Sequence, residues 1–352
     1  MDWCGQSVIA AALDLRTFVN AEKTPRRSIE ITSFPPFTVK TLFDPDSPSI
    51  DMQSDLRYAQ ATLIALQRDG VKIPGMRISF LQAHEVQLSL PHASRSINRS
   101  FTLEDLPVKR GLSSSAAACV AVSAAADILS SEKTTDPTRE FSKEALSRYA
   151  DLAYTAERKI LGVNCGQMDQ YASAFGGLTH IDCTAEPAKV TPLRARTELP
   201  MVIGDTGQQK DTPRILGWLG ERLKSGEKDF MEGMKNIVRI VEEAKKELQT
   251  PSPSRKRIGE LMNENQYYLA KYLRVSGDCP ISPSNLDKLI EAALEAGALG
   301  AKLSGSGGGG AIIALCEPES QWEIGEAIKG AGGQPLLSRV ASQGLRIEQL
   351  ST

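Results

Sequence analysis

"VKRGLSSSAAACVA" (residues 108–121) sets a glycine, three serines and a block of alanines directly after "EDLP", whose proline discourages helix. Small hydroxylated residues have a physical use where a helix begins. The first turn leaves backbone N–H groups unpaired, and serine side chains cap them. The same donors, with the helix dipole behind them, also hold anions. Gly111 supplies a backbone sign that other residues resist. The stretch predicts a loop opening an alanine-rich, buried helix over 113–131, with phosphate as its candidate ligand. A buried helix that is only capped by serine would read the same way. It is not a Walker A loop, because no GxxxxGK[ST] pattern is present. Lys109 and Arg110 adjoin it, either as phosphate contacts or as an exposed rim.

The 352 residues suffice for one large core or two medium ones, and the length favours two domains. With 41% hydrophobic and 24% charged residues, the chain is not a disordered polymer. A net charge of −2 offers no basic field, so neither nucleic acid nor an acidic membrane surface is expected as a partner. No apolar run approaches the roughly 20 residues that span a bilayer. The N-terminal "MDWCGQSVIAAALDLRT" lacks the basic region of a secretory signal. Six scattered cysteines without CxxC spacing read as free thiols of a reducing, cytoplasmic compartment. A zinc cluster is not expected, since His180 with Cys183 is the only close ligand pair.

Patterning divides the chain. "SIEITSF" (28–34) and "MRISFLQ" (76–82) alternate as strands, and "SDLRYAQATLIALQRDG" (54–70) is a helix ending on Gly70. "KEALSRYADLAYTAERKIL" (143–161) is a second amphipathic helix. After the strand "LPMVIGDTG" (199–207) the sequence turns helical, with Met234, Ile237, Val238 and Val241 on one stripe of 229–249. Helices at 257–274 and 285–298 precede a strand-like "GAKLSG" and the strand "AIIAL" (311–315). Two α+β domains are expected, residues 1–190 and 191–352.

Two further stretches carry chemistry. In "AERKILGVNCGQMDQYASAFGG" (156–177), Asp169 lies in a glycine-bracketed loop twelve residues after Glu157. Carboxylates so placed can divide labour, one holding Mg²⁺ and the other facing a substrate hydroxyl; a surface acid and a capping aspartate are the plainer reading. In "GAKLSGSGGGGAI" (300–312), no residue from Ser304 to Ala311 has more than one side-chain carbon, which points to close backbone approach to a ligand or to another chain segment.

In this order and at these separations, the three stretches resemble the signature motifs of the GHMP kinase superfamily (galactokinase, homoserine kinase, mevalonate kinase, phosphomevalonate kinase). "PVKRGLSSSAA" is similar to its second motif and "GAKLSGSGGGG" to its third. The resemblance implies an N-terminal ATP-binding domain of ribosomal protein S5-like topology, a ferredoxin-like C-terminal domain, and ATP with Mg²⁺ in the cleft between them. The phosphate loop then falls on Gly111, Leu112, Ser113, Ser114, Ser115 and Ala116. Ser115 and Glu157 become the Mg²⁺ ligands, and Asp169 the residue that takes or orients the acceptor hydroxyl proton. Gly305, Ser306, Gly307 and Gly308 join Asp2 and Asp169 around the substrate. Phosphoryl transfer fits such a site, since it needs positioning and charge neutralisation more than covalent help.

For the acceptor, "GLSSSAA", "GVNCGQMDQYAS" and "MDWCGQSV" resemble galactokinases, with Asp2 where an aspartate binds sugar hydroxyls. "LDLRTFV" (13–19), "VIGDTGQQKDT" (202–212), "LMNENQYYLAKYLRVS" (261–276) and a glycine at 308 resemble mevalonate kinases. The expectation is a sugar or sugar-like polyol, with mevalonate, an isoprenoid precursor, as the alternative. The superfamily's first motif, a PGRVNLIGEH-like strand and turn, is expected ahead of "MDWCGQSV" and is not among these residues. That keeps an inactive ligand-binding homologue as a further alternative. A homodimer is the one macromolecular association left open.

Overall fold

The computed structural model describes residues 1–33, 38–83, 106, 111–131, 140–193, 197–208, 212–273 and 281–347. Lys109 and Arg110 lie outside them. In the first half, β1 (Val8–Ala11), β2 (Phe18–Lys23), β3 (Ile29–Ser33) and β4 (Val39–Phe43) precede α1 (Arg57–Arg68) and β5 (Met76–Leu81). The expected strands at 28–34 and 76–82 are β3 and β5, and they pair in parallel. A parallel pair needs a crossover, which α1 supplies. The chain leaves α1 through Gly70, whose φ of 88° suits glycine. β2 and β4 complete an order of β2-β5-β3-β4.

α2 (Ser114–Ser130) packs against α1, β2 and two later helices, α3 (Lys143–Tyr154) and α4 (Met168–Phe175). Its alanines make this possible. Ala116, Ala124 and Ala126 are buried with Cys119, Val120 and Val122, so neighbours approach from most sides. The helix expected over 143–161 ends early, because Thr155–Ile160 winds as a π-helical turn. A second sheet, β1-β6-β7, uses β6 (Leu178–Asp182) and β7 (Lys189–Leu193).

The second half runs β8 (Met201–Asp205), α5 (Thr212–Ser225), α6 (Lys228–Leu248), α7 (Arg255–Tyr272), α8 (Ser284–Glu295), β9 (Gly300–Leu303), β10 (Ala311–Leu315), α9 (Gln321–Gly330) and β11 (Gln334–Ser338). Its sheet has the order β11-β8-β10-β9 with every pair antiparallel. Counted within this half, that is strand order 4-1-3-2, the ferredoxin-like arrangement, with extra helices between its first two strands. β7 is paired with β6, so the chain passes between sheets after Leu193 and before Met201, close to the expected boundary.

Two devices hold the halves together. An apolar seam joins Leu178 and Leu193 to Met201, Leu248, Ile258 and Leu315. Residues beyond β11 then return to the first domain. Ala341 donates to the Ala12 carbonyl (2.8 Å) and Leu345 to that of Ala174 (3.0 Å). The Arg16 guanidinium holds the carbonyls of Gly344 (2.7 Å) and Gln343 (2.8 Å).

α7 meets β9 backbone to backbone. A Cβ on Gly259 would stand 2.4 Å from the Leu299 oxygen, and one on Gly300 would stand 2.2 Å from the Gly259 oxygen. Two amides of α7 cover the outer edge of β9: Asn263 accepts from Ala301 N (2.9 Å) and Gln266 from Leu303 N (3.0 Å). Glycine-to-alanine in a helix interior ordinarily stabilises by up to about 1 kcal/mol. Here the added methyl meets backbone that cannot rotate away, and overpacking of roughly 1–3 kcal/mol dominates. Gly259→Ala is expected to lower the urea midpoint with an unchanged m-value; an unchanged or raised midpoint contradicts this contact.

Candidate active site

The interdomain cleft encloses about 1450 Å³. From the first domain Gly111–Ser115, Glu157 and Asp169 reach its wall; from the second, Thr212, Lys302 and Ser304–Ser306 do. The three motif stretches, far apart in sequence, therefore face one space.

Ser113 precedes α2 in a left-handed conformation (φ 64°), the only non-glycine residue with positive φ among the described residues. Such a backbone is strained and persists where its surroundings enforce it. Gly111 (φ 76°) shares the turn. The expected serine cap is not made: the Ser113 side chain forms no capping hydrogen bond, although its carbonyl accepts from Ala117 N (3.0 Å). Leu112 anchors the turn in an apolar cluster with Leu15, Ile203 and Ala311. Ala116 is buried within the helix packing and does not reach the cleft wall.

Glu157 lies in the π turn and is 3% exposed. π turns recur at functional sites because the extra residue re-aims a side chain. Gln170 Nε2 donates to Glu157 Oε2 (2.5 Å), and the Ser115 hydroxyl also hydrogen-bonds this carboxylate. Burial pushes the Glu157 carboxyl up to about 7; Ser115 and Gln170 oppose that rise, and the nearby Asp169 charge adds to it. Asp169 occupies the first turn of α4, where its carbonyl accepts from Ser173 Oγ (2.8 Å). The sequence-expected pair of Ser115 and Glu157 is thus in contact, with Asp169 beside it.

Asp2 is on the same wall but is also committed to structure. Its Oδ2 accepts from Met168 N (3.0 Å) and caps α4. A Cβ on Gly166 would lie 2.0 Å from that oxygen, so this loop position has no room for a side chain.

The glycine run splits in two. Gly305 and Ser306 face the cleft, and Ser306 Oγ lies 3.3 Å from Thr212 Oγ1. Gly307 and Gly308 are not on the cleft wall: added Cβ atoms would come within 2.2 Å of the Ile281 oxygen and 2.3 Å of Ile215 Cδ1. Their part is to let the loop sit on its own domain, and Gly308 N donates to Ile281 O (2.7 Å). Thr206 ties the loop's far end by donating through N (2.8 Å) and Oγ1 (2.7 Å) to Gly310 O.

Two residues of the wall escaped the sequence reading. Gln170 follows Asp169 directly, and only its contact with Glu157 distinguishes it from other exposed-type amides. Lys302 stands in β9 just before the run of small residues. Its ammonium is enclosed, donates to Leu303 O (2.7 Å), and is pulled down to about 8 by desolvation alone. Among the described residues no group of three or more His, Cys, Asp or Glu side chains is arranged to hold a metal by itself, and no helix is long and apolar enough to cross a membrane.

Comparison with known proteins agrees with this geometry. The GHMP kinases N terminal domain profile matches residues 83–177 and the GHMP kinases C terminal profile matches residues 240–333. A mevalonate kinase of Thermococcus gammatolerans is 33% identical over 98% of this chain and 93% of its own length. A galactokinase of Thermococcus kodakarensis is 30% identical over 64% of this chain and 66% of its own. The crystal structure of the Methanococcus jannaschii mevalonate kinase superposes with a TM-score of 0.72 at 18% identity, covering 97% of this chain and 93% of that one.

The protein is an ATP-dependent phosphotransferase with an alcohol group of a small molecule as acceptor. Its α+β domains carry the two halves of one family, and the chain belongs to the GHMP kinases.

Glu157 makes a sign-definite prediction. Its carboxyl binds a proton more tightly folded than unfolded, so its contribution is fully present below about pH 4.5 and is lost as pH rises to about 7. The full loss is of the order of 3 kcal/mol. Glu157→Gln carries no such penalty. Its stability relative to the parent, from urea unfolding without ligand, is expected to improve steadily from pH 5 to pH 8; a pH-independent difference contradicts the assignment.

Proposed function

We propose that this kinase phosphorylates the primary hydroxyl of mevalonate, with Asp169 as its catalytic residue. The observation that carries the reading is the full-length likeness to a mevalonate kinase, against a galactokinase likeness confined to 64% of the chain. It favours mevalonate over the expected sugar acceptor. The cleft wall supports the same choice. Leu216, Leu219, Leu269, Leu273 and Ile281 line it. These apolar side chains suit the methyl-bearing carbons of such an acid, whose carboxylate and hydroxyls need polar partners elsewhere on the wall.

In this reading the turn of Gly111, Leu112, Ser113, Ser114 and Ser115 meets the phosphates with backbone N–H groups and hydroxyls at the start of α2. Asp169 accepts or orients the acceptor's hydroxyl proton while Gly305 and Ser306 border the acceptor. Ser115 and Glu157 would hold Mg²⁺, and the residues fit that ion. A carboxylate, a hydroxyl and nearby acid suit a cation that takes one or two carboxylates and keeps waters. Glu157 is buried without an offsetting cation, and Gln170 Oε1 beside it is buried without a hydrogen-bond partner. Magnesium, when bound, neutralises charge on the phosphoryl oxygens. Asp2 keeps α4, and with it Asp169, at a fixed height in the cleft.

A coupled ADP-release assay tests this. Mevalonate is expected to drive turnover and galactose not to; turnover with galactose alone would return the site to the sugar reading. Asp169→Asn is expected to lower kcat by about 10²–10⁴-fold while nucleotide affinity stays near that of the parent. Unchanged kcat removes Asp169 from the chemistry.

A further inference from the structure

Lys302 places a positive charge on the second domain's wall of the cleft, while Asp2, Glu157 and Asp169 line it from the first domain. It stands directly opposite Ile313 in the β9–β10 register, so the two side chains share one face of the sheet. Ile313 packs on the cluster of Leu15, Leu112, Ile203 and Ala311. Leu112 belongs to the turn before α2. The sheet face that carries Lys302 is therefore the face on which the phosphate turn rests.

The charge itself has no structural partner there. Its one described hydrogen bond goes to Leu303 O, at an edge where Asn263 and Gln266 already satisfy the adjoining N–H groups. A neutral amide would serve that carbonyl as well. No carboxylate offsets the ammonium among the described residues, and two of its three donors have no described protein acceptor. A half-buried cation without a counter-charge is costly to the extent that it loses water, and a ligand that supplies the charge relieves that cost. The turn Gly111–Ser115, for its part, contains only neutral donors. Three other basic side chains line the wall: Arg16 grips the returning C-terminal segment, Arg57 lies over Tyr58, and Arg346 has an interaction of its own.

We infer that Lys302 is a nucleotide-binding residue, whose ammonium reaches across from the second domain to a phosphoryl oxygen of the bound nucleotide. It supplies from β9 the charge that the turn before α2 does not carry, so both domains grip one polyphosphate. The inference rests on the kinase assignment and not on which alcohol is the acceptor.

Lys302→Gln and Lys302→Arg in the full chain test it, with ADP and adenosine as calorimetric probes and no acceptor present. Glutamine keeps the hydrogen bond to Leu303 O and removes the charge. It is expected to weaken ADP binding by roughly 10–100-fold, the range of a charge-assisted hydrogen bond, to leave adenosine binding near that of the parent, and to give an unfolding temperature equal to or above the parent's. Arginine is expected to recover most of the ADP affinity. Parental ADP affinity in Lys302→Gln overturns the inference, as does an equal loss for ADP and adenosine, which would mark a structural role. A failed mevalonate assignment would show instead as absent turnover with that acceptor, leaving these binding results readable.

Discussion

A carboxylate held almost entirely out of water organises this cleft. Glu157 faces the Ser115 hydroxyl, the Gln170 amide and the Asp169 charge, and burial outweighs the two hydrogen bonds in setting its ionisation. Three separate elements meet at that one group: the first turn of α2, the π turn and the start of α4. Moving any of them leaves a buried acid without its donors, which is expensive in a low-dielectric interior. The strict relative placement of Ser115 and Asp169, and the cation site proposed for them, thus have one physical source.

The second domain has to arrive at the same place. Its sheet reaches the turn before α2 through Leu112, and its glycine loop is pinned by Ile215, Ile281 and Thr206. The segment after β11 ties back to Ala12, Arg16 and Ala174. The cleft is therefore bounded by two cores joined by an apolar seam and by a backbone strap. Glycines contribute here in two different ways. Gly111 and Gly305 serve turns of positive φ at the cleft, while Gly259 and Gly300 remove bulk where a helix crosses a strand.

Much of this was legible in the chain because local chemistry dictated it. Alternation placed β3 and β5, Gly70 closed α1, and the run of small residues around 304–311 marked close approach. The family resemblance rested on three motifs, and all three do line one cavity. What escaped depended on distant partners. Nothing in "MDWCGQSV" says that Asp2 caps a helix starting at Met168. Consecutive glycines look alike in sequence, yet Gly305 faces the cleft while Gly307 and Gly308 face Ile281 and Ile215. Lys302 reads as an ordinary strand lysine until its neighbours turn out to be uncharged. The acceptor is hard to read from the sequence for a related reason. The motif stretches resemble more than one member of the family, whereas the apolar wall cited for the proposed acceptor is assembled from distant residues of α5 and α7 with Leu273 and Ile281.

Proton counting on nucleotide binding is the most direct test of the role given to Glu157. At pH 6 its carboxyl is mostly protonated in the ligand-free protein, given a value of about 7. Binding of a non-hydrolysable ATP analogue with magnesium, measured by calorimetry in buffers of different ionisation enthalpy, should release close to one proton from the parent and none at this position from Glu157→Gln. Equal proton release from both proteins would contradict the account, because the buried acid would then not be the group that exchanges its proton for the metal-bound nucleotide.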